Sequence, residues 1–225
     1  MSAPERDLLS FDDIPDPAAA VARRDAPVAT PPTERSLTRA ERRSRLVLGL
    51  VIALVWVVAF TLRSGLRTDL SLMVVGELAI WVATGAGALA IALHPGARGL
   101  SLGVRVLAVV LWSVPAIFVA SALAWSLDAS PFTLTWANAR ACLGLCTVLG
   151  AGPLFLACVL FRRAFAVMAP WRLALLGAVC GLSGSIGCQA HCPIGAASHV
   201  LVAHGLPIVI GALIGAAYGA LRGRT

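Results

Sequence analysis

Residues 46–62 read LVLGLVIALVWVVAFTL, an apolar run without a single charged side chain. A helix rises about 1.5 Å per residue, so roughly 20 apolar residues cross the hydrocarbon core of a bilayer. Working outward from this run, the chain contains five more of similar length, separated by charged residues, Pro or Gly, at about residues 70–93, 104–125, 138–161, 173–190 and 199–221. The pattern predicts an all-α, polytopic membrane protein with six transmembrane helices.

The composition divides the chain into a polar tail and an apolar body. Of the 225 residues, 59% are hydrophobic and 13% are charged, whereas soluble domains carry roughly 25% charged residues. Residues 1–45 contain eight of the eleven acids and eight of the eighteen basic residues, all Arg, so the remainder supplies the whole net charge of +7. This composition excludes a water-soluble enzyme, a disulfide-rich secreted scaffold and a wholly disordered chain. The excess of Arg over acidic residues does not predict direct binding of nucleic acid, because it belongs to the apolar body.

The distribution of Arg predicts the orientation in the membrane, because cytoplasmic loops carry an excess of basic residues. With the tail inside, twelve of the Arg from Arg35 onward lie on the cytoplasmic side and three on the other. The three are Arg63, Arg67 and Arg140. We therefore expect an inner-membrane protein with both termini in the cytoplasm.

The tail has a character of its own. Pro and Ala dominate residues 16–32, and such a segment cannot bury a core, so the tail is expected to be disordered. The predicted organisation is a tail at 1–45, a transmembrane domain at 46–221 and a cytoplasmic end at 222–225. The tail is either inert or carries a short motif that folds onto a cytosolic partner. The candidate anchors form one apolar cluster, Leu8, Leu9, Phe11 and Ile14.

Cysteine and histidine gather where the fourth span begins, the fifth ends and the sixth begins. On the predicted topology, these positions share one depth near the outer face. The candidate sensing residues are Cys142, Cys146, Cys188, His191, Cys192 and His204, and His199 also opens the sixth span. Two pairs of cysteines are four residues apart, which disfavours a disulfide along one regular helix. A disulfide would instead join the fourth span to the end of the fifth, or the cluster could hold a thiophilic metal ion. Free cysteines that only fill space remain the alternative.

Small residues recur every fourth position on the last two spans. Gly211, Gly215 and Gly219 lie on the sixth, and Gly177, Gly181 and Ser185 lie on the fifth. Such stripes allow close approach of backbones in lipid. The pattern favours packing within the chain over oligomerisation, and both remain open.

The C-terminal half carries a combination of motifs. Cys142 is followed by Pro153, then by two Arg, a Gly-rich fifth span, the triplet His191-Cys192-Pro193 and His204-Gly205. Over residues 138–221, and in its layout of a tail and six spans, the chain resembles the NrsF-type family of bacterial membrane anti-sigma factors. Membrane anti-sigma factors of the myxobacterial light response share this plan.

The resemblance implies a cytoplasmic tail that sequesters an extracytoplasmic-function sigma factor, and outward-facing cysteines that take part in sensing oxidative or heavy-metal stress. Cys142 and Cys192 match the cysteines of the family. The tail is longer and richer in Pro than the family pattern, so its sigma-binding residues cannot be transferred. Cys146 and Cys188 are additional to the pattern, so the sensing chemistry can differ.

Two other classes of function, a transporter and a thiol oxidoreductase, fit the sequence less well. A small transporter for a thiophilic ion would need a relay across the membrane, but no Cys or His precedes His94. A thiol oxidoreductase usually carries C-x-x-C, and this chain has only C-x-x-x-C spacings. We therefore expect a regulator and not an enzyme, which releases its partner through a conformational change or through proteolysis.

Overall fold

The computed structural model describes residues 39–65, 71–94, 103–125, 136–160 and 169–222, and every regular element in these ranges is helical. The first five helices are α1 (Arg39–Ser64), α2 (Leu72–Leu93), α3 (Val104–Trp125), α4 (Trp136–Leu160) and α5 (Ala169–Gln189). The last span consists of a short helix α6 (Ala197–His199), a π-helix (Val200–His204) and α7 (Leu206–Arg222). Six segments of these ranges are long and apolar enough to cross a membrane. The predicted fold class is confirmed.

Helix α1 begins before the first apolar run. It starts at Arg39 rather than near residue 46, because the Arg-rich stretch before Leu46 has good helix propensity. It ends at Ser64, and the φ of 81° at the following Gly65 lies in the left-handed region that terminates helices. The tail anchors Leu8, Leu9, Phe11 and Ile14 lie outside the described residues.

Helix α5 occupies the centre of the bundle. Of its membrane-spanning window, 78% is buried inside the protein, compared with none of the window of α1. Helix α5 contacts each of the other five spans. A side chain near either end of α5 therefore lies within reach of several helices.

Glycine permits the closest helix contact, between α5 and α7. A Cβ on Gly177 would collide with the backbone carbonyl of Gly211, and a Cβ on Gly215 would collide with that of Leu173. Gly181 lies equally close to the backbone at Pro207. These residues of the two glycine stripes are thus used for packing within the chain.

Buried polar contacts connect the helices at both ends of the bundle. At one end, the Arg172 guanidinium at the start of α5 donates hydrogen bonds to the carbonyls of Ala92 and His94, at 3.1 and 2.8 Å. At the other end, Gln189 Nε2 donates to Glu77 Oε2 at 3.3 Å. Glu77 is 5% exposed, so this intramembrane carboxylate lies inside the bundle. The two contacts show that α2 and α5 run antiparallel.

Candidate functional site

Six cysteine and histidine side chains converge at the end of the bundle where α5 ends. Helix α4 contributes two of them in its second and third turns, α5 and the segment after it contribute two more, and α6 and the π-helix contribute the histidines. They form two groups that share one residue. The outer group is Cys142, Cys192, His199 and His204, and the second group is Cys146, Cys188 and His204.

The outer group has the spacing of a four-coordinate metal site. Its four ligand atoms all lie within 4.8 Å of one another. Cys142 Sγ lies 3.8 Å from Cys192 Sγ, and Cys192 Sγ lies 3.3 Å from His199 Nε2. Metal–sulfur and metal–nitrogen bonds of zinc in a tetrahedron separate the ligand atoms by about 3.3 to 3.8 Å. Two thiolates and two imidazoles are a common donor set for such an ion, so these residues fit a thiophilic metal.

His204 supplies a separate indication of a ligand. Its side chain is 0% exposed, and neither ring nitrogen finds a hydrogen-bond partner among the described residues. A buried polar group left without a partner costs about 1–3 kcal/mol. The Oγ of Ser185 does contact the backbone carbonyl of His204, which holds the residue in place but leaves its ring unsatisfied.

The π-helix explains how two histidines five residues apart reach the same site. In a regular α-helix His199 and His204 would point about 140° apart around the axis. Here the N–H of Gly205 donates to the carbonyl of Val200, a bond that spans five residues at 3.1 Å. The wider turn brings the two rings into edge contact, with centroids 5.5 Å apart. Pro207, the second residue of α7, lacks the N–H that would continue an α-helical ladder through this turn.

Glycine also brings the two cysteine-bearing helices together. A Cβ on Gly184 in α5 would collide with the carbonyl oxygen of Cys146 in α4. Since the backbones touch there, Cys146 and Cys188 face each other across a contact that no larger residue would permit. The Sγ of Cys188 lies 3.7 Å from the carbonyl oxygen of Cys142.

Cys192 is the one cysteine of the cluster that lies between spans, in the segment that joins α5 to α6. It is 4% exposed. Burial raises the pKa of its thiol to about 12. The thiol is therefore protonated at neutral pH, and a cation would have to displace its proton in order to bind.

The structure groups the histidines differently from the sequence-based selection. His191, a predicted sensing residue, is in neither ligand group, and its Nδ1 contacts the carbonyl oxygen of Gly65, which follows α1. His199, which is not among the predicted sensing residues, is in the outer group. Its position at the opening of the sixth span was the only available signal, because sequence spacing does not reveal the π-helix.

The other two cysteines lie apart from the cluster. The backbone carbonyl of Cys180 lies against Gly150. The Tyr218 hydroxyl donates a hydrogen bond to the backbone carbonyl of Cys158. Neither belongs to a ligand group. They serve as matched controls for experiments on the cluster.

The model of a family described as NrsF, negative regulator of sigma F, matches residues 22–222. No curated protein and no solved structure matches the chain.

Proposed function

The chain belongs to the NrsF family of negative regulators, and from this premise we propose that it is an integral inner-membrane anti-sigma factor. Its tail, residues 1–45, sequesters an extracytoplasmic-function sigma factor on the cytoplasmic side. Two observations support this. Six segments are long and apolar enough to cross a membrane. In addition, Arg is in excess on the side to which an even number of spans assigns both termini. Within the tail, Leu8, Leu9, Phe11 and Ile14 are the proposed anchors, on a helix that forms on binding.

The proposed sensor is the outer group, and its convergence is the observation that carries the proposal. Four potential ligands meet within 4.8 Å, one from the fourth span, one from the segment between the fifth and sixth spans, and two from the sixth span. An oxidant can take two electrons and two protons from Cys142 and Cys192 and leave a disulfide. Alternatively, a thiophilic cation can bind the two sulfurs and displace their protons. Either event ties α4 to the connection between α5 and the sixth span.

Either event can supply free energy of the required order. Converting a population that is 99% bound to sigma factor into one that is 99% released requires about 5.5 kcal/mol of differential stabilisation. A disulfide typically contributes about 2–4 kcal/mol to folding stability, and a structural zinc site in a small peptide contributes about 10–16 kcal/mol. One disulfide or one metal–thiolate site therefore makes release energetically possible.

A path from the sensor to the tail runs through α4 and α1. Helix α1 continues directly from the tail and packs on α4. A Cβ added to Gly152 in α4 would touch the indole of Trp56 in α1. Likewise, a Cβ added to Gly49 in α1 would touch the side chain of Leu160 in α4. A shift of α4 would therefore displace α1. The tail would then lose its binding geometry or become accessible to a protease.

The proposal is tested by capture of a sigma factor. Residues 1–45, fused to a soluble carrier, and the full-length protein in detergent are each mixed with the extracytoplasmic-function sigma factors of the source organism. We expect one sigma factor to be captured, and capture to be lost in the double variant Leu9→Asp, Phe11→Asp. The control, Val21→Asp with Val28→Asp, adds the same charge elsewhere in the tail and retains capture. Failure of both forms to capture any sigma factor contradicts the proposal.

A further inference from the structure

Two of the three residues in the second ligand group, Cys146 and Cys188, are additional to the family pattern. Cys146 and Cys188 are 0% and 1% exposed, and their sulfurs lie within 4.8 Å of each other and of a ring nitrogen of His204. Two further cysteines, Cys158 and Cys180, take no part in any such group. The convergence is therefore specific to this place in the bundle.

The buried ring of His204 leaves both of its nitrogens available to a ligand. A histidine that ligates one metal ion almost always donates its remaining N–H to a carbonyl, a carboxylate or water. Neither ring nitrogen of His204 has a protein partner within the described part of the chain. One ion in the outer group would satisfy one nitrogen and leave the other buried without a partner. A second ion satisfies both.

We propose that Cys146, Cys188 and His204 form a second binding position for a thiophilic divalent cation, joined to the outer position by a His204 imidazolate bridge. The inference rests on the metal-sensing form of the proposed function. Filling both positions displaces four thiol protons and the ring proton of His204.

Charge identifies the class of cation. Four thiolates and one imidazolate carry five negative charges, so two divalent cations leave one negative charge and two monovalent cations leave three. Uncompensated charge is costly in a buried site, which favours divalent ions. Thiolate and imidazole donors select soft or borderline ions over magnesium and calcium. Cd²⁺ is therefore a suitable probe.

The experiment counts ions in the full-length protein in detergent. The apo protein is titrated with Cd²⁺ while thiolate-to-cadmium charge-transfer absorbance is recorded, and bound metal is measured after dialysis. In the wild type we expect absorbance to rise up to two equivalents, with the second adding about as much as the first, because each position has two cysteines. An absorbance that stops rising at one equivalent overturns the inference, and this result does not depend on any variant.

Two double variants locate the second position. Cys146→Ser with Cys188→Ser is expected to reduce the count from two ions to one, whereas the control Cys158→Ser with Cys180→Ser retains two. A count of two in the first variant also overturns the inference. Size-exclusion profiles establish that both variants are folded, and the wild-type titration decides alone if one is not.

This result is separable from the proposed function. The ion count is measured without sigma factor, and capture of sigma factor is measured without added metal. Loss of the second position leaves capture by the tail intact. Failure of capture leaves the ion count unchanged.

Discussion

Cys142 and Cys192 are fifty residues apart in sequence and their sulfur atoms lie 3.8 Å apart. One belongs to α4 and the other to the segment that follows α5. A bond or an ion between them would therefore change how two spans are connected at one end of the bundle. Several experiments depend on this pair and its neighbours.

Replacing the pair should abolish the response while preserving repression. In cells that carry a sigma-dependent reporter, Cys142→Ser with Cys192→Ser is expected to keep reporter activity at its uninduced level after exposure to Cd²⁺ or an oxidant. Cys158→Ser with Cys180→Ser should respond like the wild type, because these cysteines lie outside the cluster. Normal induction in the first variant would show that the signal enters elsewhere.

Mild oxidation should join Cys142 to Cys192 in preference to Cys142 to Cys146 or Cys188 to Cys192, the two pairs that are four residues apart in sequence. The two sulfurs need to move less than about 2 Å to reach the disulfide length. Digestion under non-reducing conditions and mass spectrometry would identify the linked peptides. A dominant link from Cys142 to Cys146 would contradict the geometry described for this end of the bundle.

His199 and His191 should differ sharply when each is changed to Ala. His199 Nε2 lies 3.3 Å from Cys192 Sγ and belongs to the outer group, whereas His191 contacts the Gly65 carbonyl. We expect His199→Ala to weaken Cd²⁺ binding by about a hundredfold. Loss of a residue that only hydrogen-bonds to a metal ligand weakens metal binding by about 10- to 100-fold, so loss of a ligand itself should reach the upper end of that range. His191→Ala should leave the affinity within about twofold of wild type, a change too small to indicate a lost ligand. Equal effects would remove His199 from the site.

Gly177→Ala should destabilise the bundle, because the added Cβ would collide with the Gly211 carbonyl. Overpacking of this kind costs about 1–3 kcal/mol. Gly87→Ala is the control, since its Cβ would enter open space, and removing a helical glycine stabilises by about 0.5–1 kcal/mol. Thermal unfolding in detergent, followed by tryptophan fluorescence, should show shifts of opposite sign. Unchanged stability in Gly177→Ala would mean that α5 and α7 are packed less closely.

The proposed topology is tested with alkaline phosphatase fusions, which are active only outside the cytoplasm. A fusion after Ser130 is expected to be active, and fusions after Arg98 and at the C-terminus are expected to be inactive. Green fluorescent protein at the same sites should give the reverse pattern. Phosphatase activity at the C-terminus would contradict the orientation inferred from Arg.

Much of the architecture could be predicted from the order of residues. The six spans follow from apolar runs that exceed the bilayer thickness and from the charges between them, since the partition of a side chain into lipid depends on its own chemistry. The same alternation of spans places the cluster of Cys and His at one end of the bundle, and the family resemblance singles out Cys142 and Cys192 within it. The glycine stripes were visible too, since their period is that of one helix face.

Only the tertiary structure decided which of these residues meet. The stripe that contains Gly177 could have faced lipid, another copy or a neighbouring helix, and its contact with Gly211 depends on a pairing of helices that local spacing does not encode. His199, and not His191, lies in the ligand group, again because of packing that local spacing does not encode. A single π turn realigned His199 with His204, and that turn depends on how α7 packs after Pro207. Hydropathy therefore determined the spans, whereas close packing between helices determined the site.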